Sequence, residues 1–306
     1  MKIINGLKSL HDSTQGCVAT IGNFDGVHLG HQTILENLKE KAKALNLPLT
    51  VISFEPLPAE YFMLNPPARI YPLRDKIQHM SNAGVDNFLC LKFDKTLASS
   101  LPTGFIEKIL IEKLKVKYLA VGDDFRFGYK REGGFHLLKK VGEANGMTVE
   151  DTSTQIQSGE RISSTRIREA LNNADLATAN KLLGHSYQLS GRIRHGEKRG
   201  RTIGFPTVNL KVMDNIALKF GVYAVKVSGL TETPLNGVAN LGTRPTVYGE
   251  ENRLETHLFD FDQSVYGKHI TVEFVEFIRA EHKFENFEAL KKQIERDATE
   301  ARLAFK

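Results

Sequence analysis

The chain has 306 residues, 41% of them apolar and 25% charged, roughly two domains' worth of sequence able to bury a core. This excludes a disordered chain, a fibrous repeat and a small disulfide-stapled module. Forty-one basic against 36 acidic residues leave a net charge of +5, which favours an anionic partner: nucleic acid, nucleotide or phosphate. No apolar run approaches the roughly 18 residues of a membrane span, and Met1-Lys2-Ile3-Ile4-Asn5-Gly6 lacks the apolar core of a signal peptide, so a cytoplasmic protein with no membrane partner is expected. Cys17 and Cys90 both sit in apolar runs, where cysteine acts as a small hydrophobe, and two cysteines make neither a disulfide framework nor a structural zinc site.

In chain order, apolar runs at Cys17 to Ile21, Leu49 to Phe54, Phe88 to Phe93 and Tyr118 to Val121 recur at about the spacing of a βαβ unit. After Gly30, the residues Ile34, Leu35, Leu38, Ala42 and Leu45 share one helical face, opposite Lys39, Glu40 and Lys43. Short apolar strands alternating with helices predict an α/β domain with a doubly wound parallel sheet covered on both faces. A further helical region follows Ser163, carrying Ile167, Leu171, Leu176, Ala179, Leu182 and Leu183 and ending at Gly184 as a C-cap. From Tyr187 the period changes to two. Gly221 to Val227, Leu254 to Phe259, and Ile270, Val272 and Phe274 alternate with polar residues, which predicts a small antiparallel β-barrel. One terminal helix, with Phe287, Leu290, Ile294 and Ala298 on a face, closes it. The boundary falls near Gly184 to Tyr187, giving domains 1–184 and 185–306.

The first strand runs into Gly22-Asn23-Phe24-Asp25-Gly26-Val27-His28-Leu29-Gly30-His31. Glycines at a strand-to-helix turn let backbone approach a ligand, and the helix N-terminus offers N–H groups and a positive dipole end to phosphate. His28 and His31, three apart, project to nearly the same side if both belong to the first turn. The spacing is neither G-x-G-x-x-G nor a P-loop, so adenylyl transfer fits better than either. Further on, Ser163 or Ser164 can cap a helix while Arg166 and Arg168 reach phosphates.

In the second half, Arg192, Arg194, Lys198, Arg199 and Arg201 face one acid, Glu197, a stretch suited to nucleic acid or to a solvated loop. It leads into Gly200-Arg201-Thr202-Ile203-Gly204-Phe205-Pro206-Thr207-Val208-Asn209. There the glycine-rich part can wrap phosphate, and Thr207 and Asn209 put two hard oxygen donors on one face of an extended segment, able to hold Mg²⁺ with nucleotide phosphates. Periodicity does not decide the role of Glu255.

Taken together, these strings resemble the prokaryotic bifunctional riboflavin kinase/FAD synthetases over nearly the whole chain. His28-Leu29-Gly30-His31 is similar to the H-x-G-H nucleotidyltransferase signature. Gly122-Asp123-Asp124-Phe125-Arg126-Phe127-Gly128 is similar to the family's G-x-[ND]-F-x-F-G element, with Asp124 where many members carry Asn. Ser163-Ser164-Thr165-Arg166-Ile167-Arg168 resembles S-S-T-x-[IV]-R, which closes over the ATP triphosphate, and Gly200 to Asn209 resembles the kinase R-G-R-x-x-G-[FY]-P-T-x-N element. Leu254-Glu255-Thr256-His257-Leu258-Phe259-Asp260 resembles the motif whose Glu is the catalytic base, and Gly237 to Thr246 resembles G-[VT]-x-N-[IL]-G-x-R-P-T.

The resemblance implies ATP-dependent conversion of riboflavin to FMN by the second domain, then adenylylation of FMN to FAD by the first, with Mg²⁺. It implies catalytic roles for Glu255, His28 and His31. ATP or phosphate would be bound through Gly22, Asn23, Phe24, Asp25, Gly26, Gly30, Ser163, Ser164, Thr165, Arg166, Arg168, Gly200, Arg201, Thr202 and Gly204. Flavin contacts would come from Asp124, Phe125, Arg126 and Phe127, with Arg244 read either as such a contact or as a structural ion pair. Metal contacts would come from Thr207 and Asn209. Riboflavin, FMN and ATP are the expected partners, nucleic acid is not, and a homo-oligomer stays open. Two other readings compete: an H-x-G-H enzyme acting on a different phosphate, such as a pantetheine phosphate, and a nucleic-acid-binding protein using Arg192 to Arg201.

Overall fold

The computed structural model covers residues 1–10, 15–122, 124–152, 156–157, 160–194, 205–246 and 249–306. It divides into two units, Met1–Pro67 with Lys76–Ser163, and Ala68–Asp75 with Ser164–Lys306.

The apolar runs of the first unit become strands β1 Lys2–Asn5, β2 Cys17–Ile21, β3 Leu49–Glu55, β4 Asn87–Lys92, β5 Val116–Gly122 and β6 Thr148–Thr152. All pair in parallel in the order β1-β4-β3-β2-β5-β6. β2 is buried at every position and β3 at all but its last, which is why these strands read as unbroken apolar runs rather than as alternation. The connections hold α1 Leu29–Leu45, α2 Pro58–Phe62, α3 Leu73–Asn82, α4 Lys95–Ala98, α5 Pro102–Phe105 continuing as a π-helix over Ile106–Lys113, and α6 Phe135–Ala144. A two-residue pair, β7 Ile156–Gln157 with β8 Glu160–Arg161, ends the unit. Strand order reverses between β2 and β5, so the crevice beyond their carboxyl ends is where a doubly wound sheet binds its ligand. In α1 the expected face is buried at Leu35, Leu38 and Ala42, whereas Leu45 is exposed because it ends the helix.

The second unit opens with α7 Ser164–Asn172 and α8 Leu176–Leu183; Ala174 and the Asp175 cap divide what periodicity joins into one helical region. Gly184 ends α8 in the left-handed conformation, as expected of a C-cap. The barrel strands are β9 Gln188–Arg192, β10 Thr207–Lys211, β11 Gly221–Ser228, β12 Leu235–Thr246, β13 Gly249–Leu258 and β14 His269–Ala280. They run antiparallel in the order β10-β13-β12-β11-β14-β9, and the Arg194–Asn209 bridge, with Arg194 N donating to Asn209 O at 2.9 Å, nearly closes the ring. Helix α9 Phe287–Leu303 lies against β11, β12 and β14. Its Ala298 and Ala301 are buried, and Phe287, in the first turn ahead of them, is exposed.

Residues Ala68–Asp75 join this unit by hydrogen bonding: Arg69 pairs with Ile216, the Tyr187 hydroxyl donates to Ile70 O at 2.8 Å, and Asp75 accepts from Ser190 N and Oγ. Burial raises the Asp75 pKa, opposed by those two bonds. Within the barrel, Phe274 packs on Tyr187 and Tyr223 at 5.7 and 5.1 Å between ring centroids. Its replacement by alanine should cost this unit about 3–5 kcal/mol, measured by denaturant unfolding followed through barrel-specific probes. A loss below about 1 kcal/mol would contradict this packing.

Candidate functional sites

Beyond β2 the backbone enters the left-handed region at Phe24 (φ 47°) and Val27 (φ 43°), both non-glycine and both buried, with Gly26 (φ 90°) between them. Such strain persists where surrounding packing over-determines it, typically at ligand-binding loops. The loop ends at His28, which is the N-cap of α1: its Nδ1 accepts from His31 N at 3.4 Å. An accepting Nδ1 carries no proton, so the neutral ring has its hydrogen on Nε2. The two rings stack at 3.7 Å and 16°, and Phe24 closes on His31 at 4.8 Å. The His31 pKa is held well below its ordinary value, first by burial, then by His28 and the Lys76 cation. His31 is therefore neutral near pH 7, and its Nδ1 is buried without a hydrogen-bond partner among the described residues.

Lys76, on α3 and not singled out by its sequence context, is buried below this loop and donates to Asn23 O at 3.1 Å and Ser53 Oγ at 3.2 Å. A lysine on an amphipathic helix reads as a solvent residue, and only the tertiary contacts reveal it. The site thus combines the N-terminus of a 17-residue helix, two stacked imidazoles and one buried ammonium, a set able to donate to phosphate oxygens.

Gly22, Asn23, Asp25 and Gly30 belong to the same strand–loop–helix passage as the two histidines. After β5, Phe125 and Phe127 stack at 5.4 Å and 16°, Phe127 buried, with Asp124 and Arg126 exposed beside them. Asp123 lies outside the described residues. Ser163 ends the first unit; Ser164, Thr165, Arg166 and Arg168 lie on α7, the first helix of the second unit, where Arg168 Nε donates to Ala68 O at 2.7 Å.

On the barrel, strand register does what periodicity does not. Glu255 on β13 stands directly opposite Asn209 on β10 and opposite Asn240 on β12, so a carboxylate lies between two amides on one face. Asn209 is buried with its Nδ2 toward Thr207 O at 3.5 Å, and its Oδ1 has no partner among the described residues. Asn240, which the sequence reading leaves without a role, donates its amide to Glu281 at 3.2 Å. Thr207 pairs with His257, whose ring bonds Pro206 O at 2.9 Å and whose pKa is lowered, chiefly by burial. Arg244 lies on β12 opposite Glu251. Gly200, Arg201, Thr202 and Gly204 fall outside the described residues. No group of three or more His, Cys, Asp or Glu able to hold a metal occurs among the described residues.

A doubly wound sheet whose switch point carries a strained glycine loop and paired histidines, followed by a barrel bearing an Asn–Glu–Asn row, defines a nucleotide-dependent transferase with two sites. The FAD synthetase family model matches residues 10–166 and the riboflavin kinase model residues 183–305. Curated relatives described as bifunctional riboflavin kinase/FMN adenylyltransferase include proteins of Haemophilus influenzae, 50% identical over 306 residues with 100% of this chain and 99% of that protein covered, and of Escherichia coli K12, 48% identical over 307 residues with 100% and 98% covered. A solved structure described as a macrolide-efflux protein from Streptococcus pneumoniae matches with a TM-score of 0.81 at 29% identity, covering 99% of both chains. No helix among the described residues is long and apolar enough to cross a membrane. The chain belongs to the bifunctional riboflavin kinase/FMN adenylyltransferase family, and it is a transferase that joins a kinase to a nucleotidyltransferase.

Proposed function

We propose that residues 185–306 phosphorylate the primary alcohol of riboflavin with ATP, giving FMN and ADP, and that residues 1–184 transfer AMP from a second ATP to FMN, giving FAD and pyrophosphate. The observation that carries the first assignment is the register of Glu255 against Asn209, whose buried Oδ1 lacks a partner among the described residues.

In the kinase half, Glu255 accepts the proton of the riboflavin hydroxyl as that oxygen attacks the γ-phosphorus. The donor set fits a hard cation: Thr207 and Asn209 supply neutral oxygens, leaving the charge to be met by phosphates, a common way of holding Mg²⁺. When bound, Mg²⁺ neutralises phosphate charge during transfer. Gly200, Arg201, Thr202 and Gly204 wrap the phosphates, and Arg244 contacts flavin or phosphate. The basic stretch from Arg192 to Arg201 is then better explained by nucleotide phosphates than by nucleic acid, because it leads straight into Thr207.

In the adenylyltransferase half no protein nucleophile is required. The FMN phosphate attacks the α-phosphorus of ATP and pyrophosphate departs. His28 through Nε2–H, His31, and the N–H groups opening α1 donate to the charge that builds, with Gly22 to Gly26 and Gly30 letting backbone approach closely. Ser163, Ser164, Thr165, Arg166 and Arg168 hold the triphosphate, while Asp124, Phe125, Arg126 and Phe127 contact the flavin. Asp124, where many members have Asn, accepts hydrogen bonds but does not donate when ionised. Dependence on ATP in both steps supports a cytoplasmic enzyme whose partners are riboflavin, FMN and ATP.

Asn209→Ala tests the metal assignment. Even partners of metal ligands change affinity by about 10–100-fold, so losing a direct ligand should raise the Mg²⁺ requirement of FMN formation at least that much. Adenylylation of supplied FMN should be unaffected. Initial rates against Mg²⁺ concentration check this, and an unchanged requirement would remove Asn209 from the metal's coordination.

A further inference from the structure

We infer that His257 is a positioning residue for the kinase half: its Nδ1–H clamps the Pro206 carbonyl and so fixes the entry to β10 from which Thr207 and Asn209 present their oxygens. The inference rests on the assignment of those two residues to the metal–nucleotide.

The bond from His257 Nδ1 to Pro206 O is 2.9 Å. A carbonyl oxygen only accepts, so the hydrogen is on Nδ1 and the tautomer is settled by the partner. Pro206 immediately precedes β10 and has no N–H to give to the sheet, so the ladder that begins at Thr207 cannot anchor it through nitrogen. The anchoring comes instead from the side chain opposite Thr207, because Thr207 and His257 form the first pair of the β10–β13 register. On the other edge of β10, Arg194 N holds the strand through Asn209 O at 2.9 Å, two residues further along.

The ring itself is held firmly. Phe205 meets it edge-on at 4.9 Å and Phe259 at 5.9 Å between centroids, while Arg302 lies 4.1 Å over Phe259 and pairs with both oxygens of Asp260 at 3.2 Å. A donor fixed in this way keeps the carbonyl of Pro206 in one orientation, and with it the peptide that leads into Thr207. Thr207 is one residue from the clamp and Asn209 three. His257 therefore acts through the loop and touches neither substrate nor reacting atoms.

The test uses the full-length enzyme with Mn²⁺, ADP and riboflavin, reading bound Mn²⁺ by electron paramagnetic resonance alongside the kinetics. His257→Phe keeps a ring of similar bulk but lacks the donor. His257→Asn sets an amide N–H near the Nδ1 position, and His257→Gln reaches the Nε2 position instead. Loss of orientation at a ligand typically changes metal affinity by about 10–100-fold, so His257→Phe and His257→Gln should weaken the kinase-site Mn²⁺ and raise KM for Mg²⁺ by that order. His257→Asn should stay close to the parent, and all three should adenylylate supplied FMN normally. Asn209→Ala in the same titration identifies the kinase-site ion. If Asn209→Ala leaves Mn²⁺ binding unchanged, the metal assignment itself fails. If Asn209→Ala weakens it and His257→Phe does not, or if His257→Asn is as impaired as His257→Phe, the clamp is overturned while the metal assignment stands.

Discussion

The Glu255→Ala enzyme is expected to lose FMN formation by about 10²–10⁴-fold, the usual contribution of a positioned general base, while still converting supplied FMN to FAD at the parental rate. The carboxylate lies between Asn209 and Asn240 in the barrel register, with Glu281 accepting from the Asn240 amide at 3.2 Å. On the proposed assignment, removal of Glu255 takes away the acceptor of the riboflavin hydroxyl proton and leaves the loop after β2 intact. Separating riboflavin, FMN and FAD after incubation with riboflavin and ATP, and again with FMN and ATP, reads both steps. Loss of both activities in a folded protein, or loss of neither, would contradict this division of labour.

The complementary result concerns His28 and His31. Replacing both by alanine should let the enzyme accumulate FMN and stop there, since removal of a single donor to developing charge typically costs about 10²–10³ in rate. One complication is structural: His28 also caps α1 by accepting from His31 N, and loss of an N-cap costs helix stability of about 1 kcal/mol. His28→Asn separates the two effects. Asparagine is among the best N-cap residues, so the helix keeps its cap while the Nε2 donor is gone. The expected phenotype is a parental unfolding midpoint with slow FAD formation. Parental FAD formation by His28→Asn would show that the ring serves only as a cap.

Much of this was legible in the residues because the relevant signals are local. The passage from Cys17–Ile21 into Gly22–His31 reads directly as strand and glycine turn leading to a helix, and β2, the strained loop and α1 follow in that order, with α1 opening inside the string at Leu29 and His28 as its N-cap. What stayed illegible depends on partners far away in the chain. Glu255 looked ambiguous because Thr256, a polar residue, takes an inward barrel position and is fully buried, which blurs the alternation of Leu254 and Leu258 against Glu255 and His257. β12 contains Asn236, Gly237, Asn240, Gly242 and Pro245, all turn residues by propensity, yet it pairs along its length with β13 because cross-strand packing outweighs local preference. Lys76 needs Asn23 and Ser53 to become a buried cation, and Ala68–Asp75 joins the second unit through bonds to residues 100 or more positions on. His257 shows the same limit from the other side: its neighbours in sequence announce a motif, but its bond to Pro206 crosses 51 residues.

Two successive reactions on one flavin by two sites of one chain can be read in a single time course with riboflavin, ATP and Mg²⁺ in which flavins, ADP and pyrophosphate are all measured. FMN should rise first and FAD follow, with one ADP and one pyrophosphate released for each FAD. Absence of both FMN and FAD, or FAD formed without matching ADP and pyrophosphate, would contradict it.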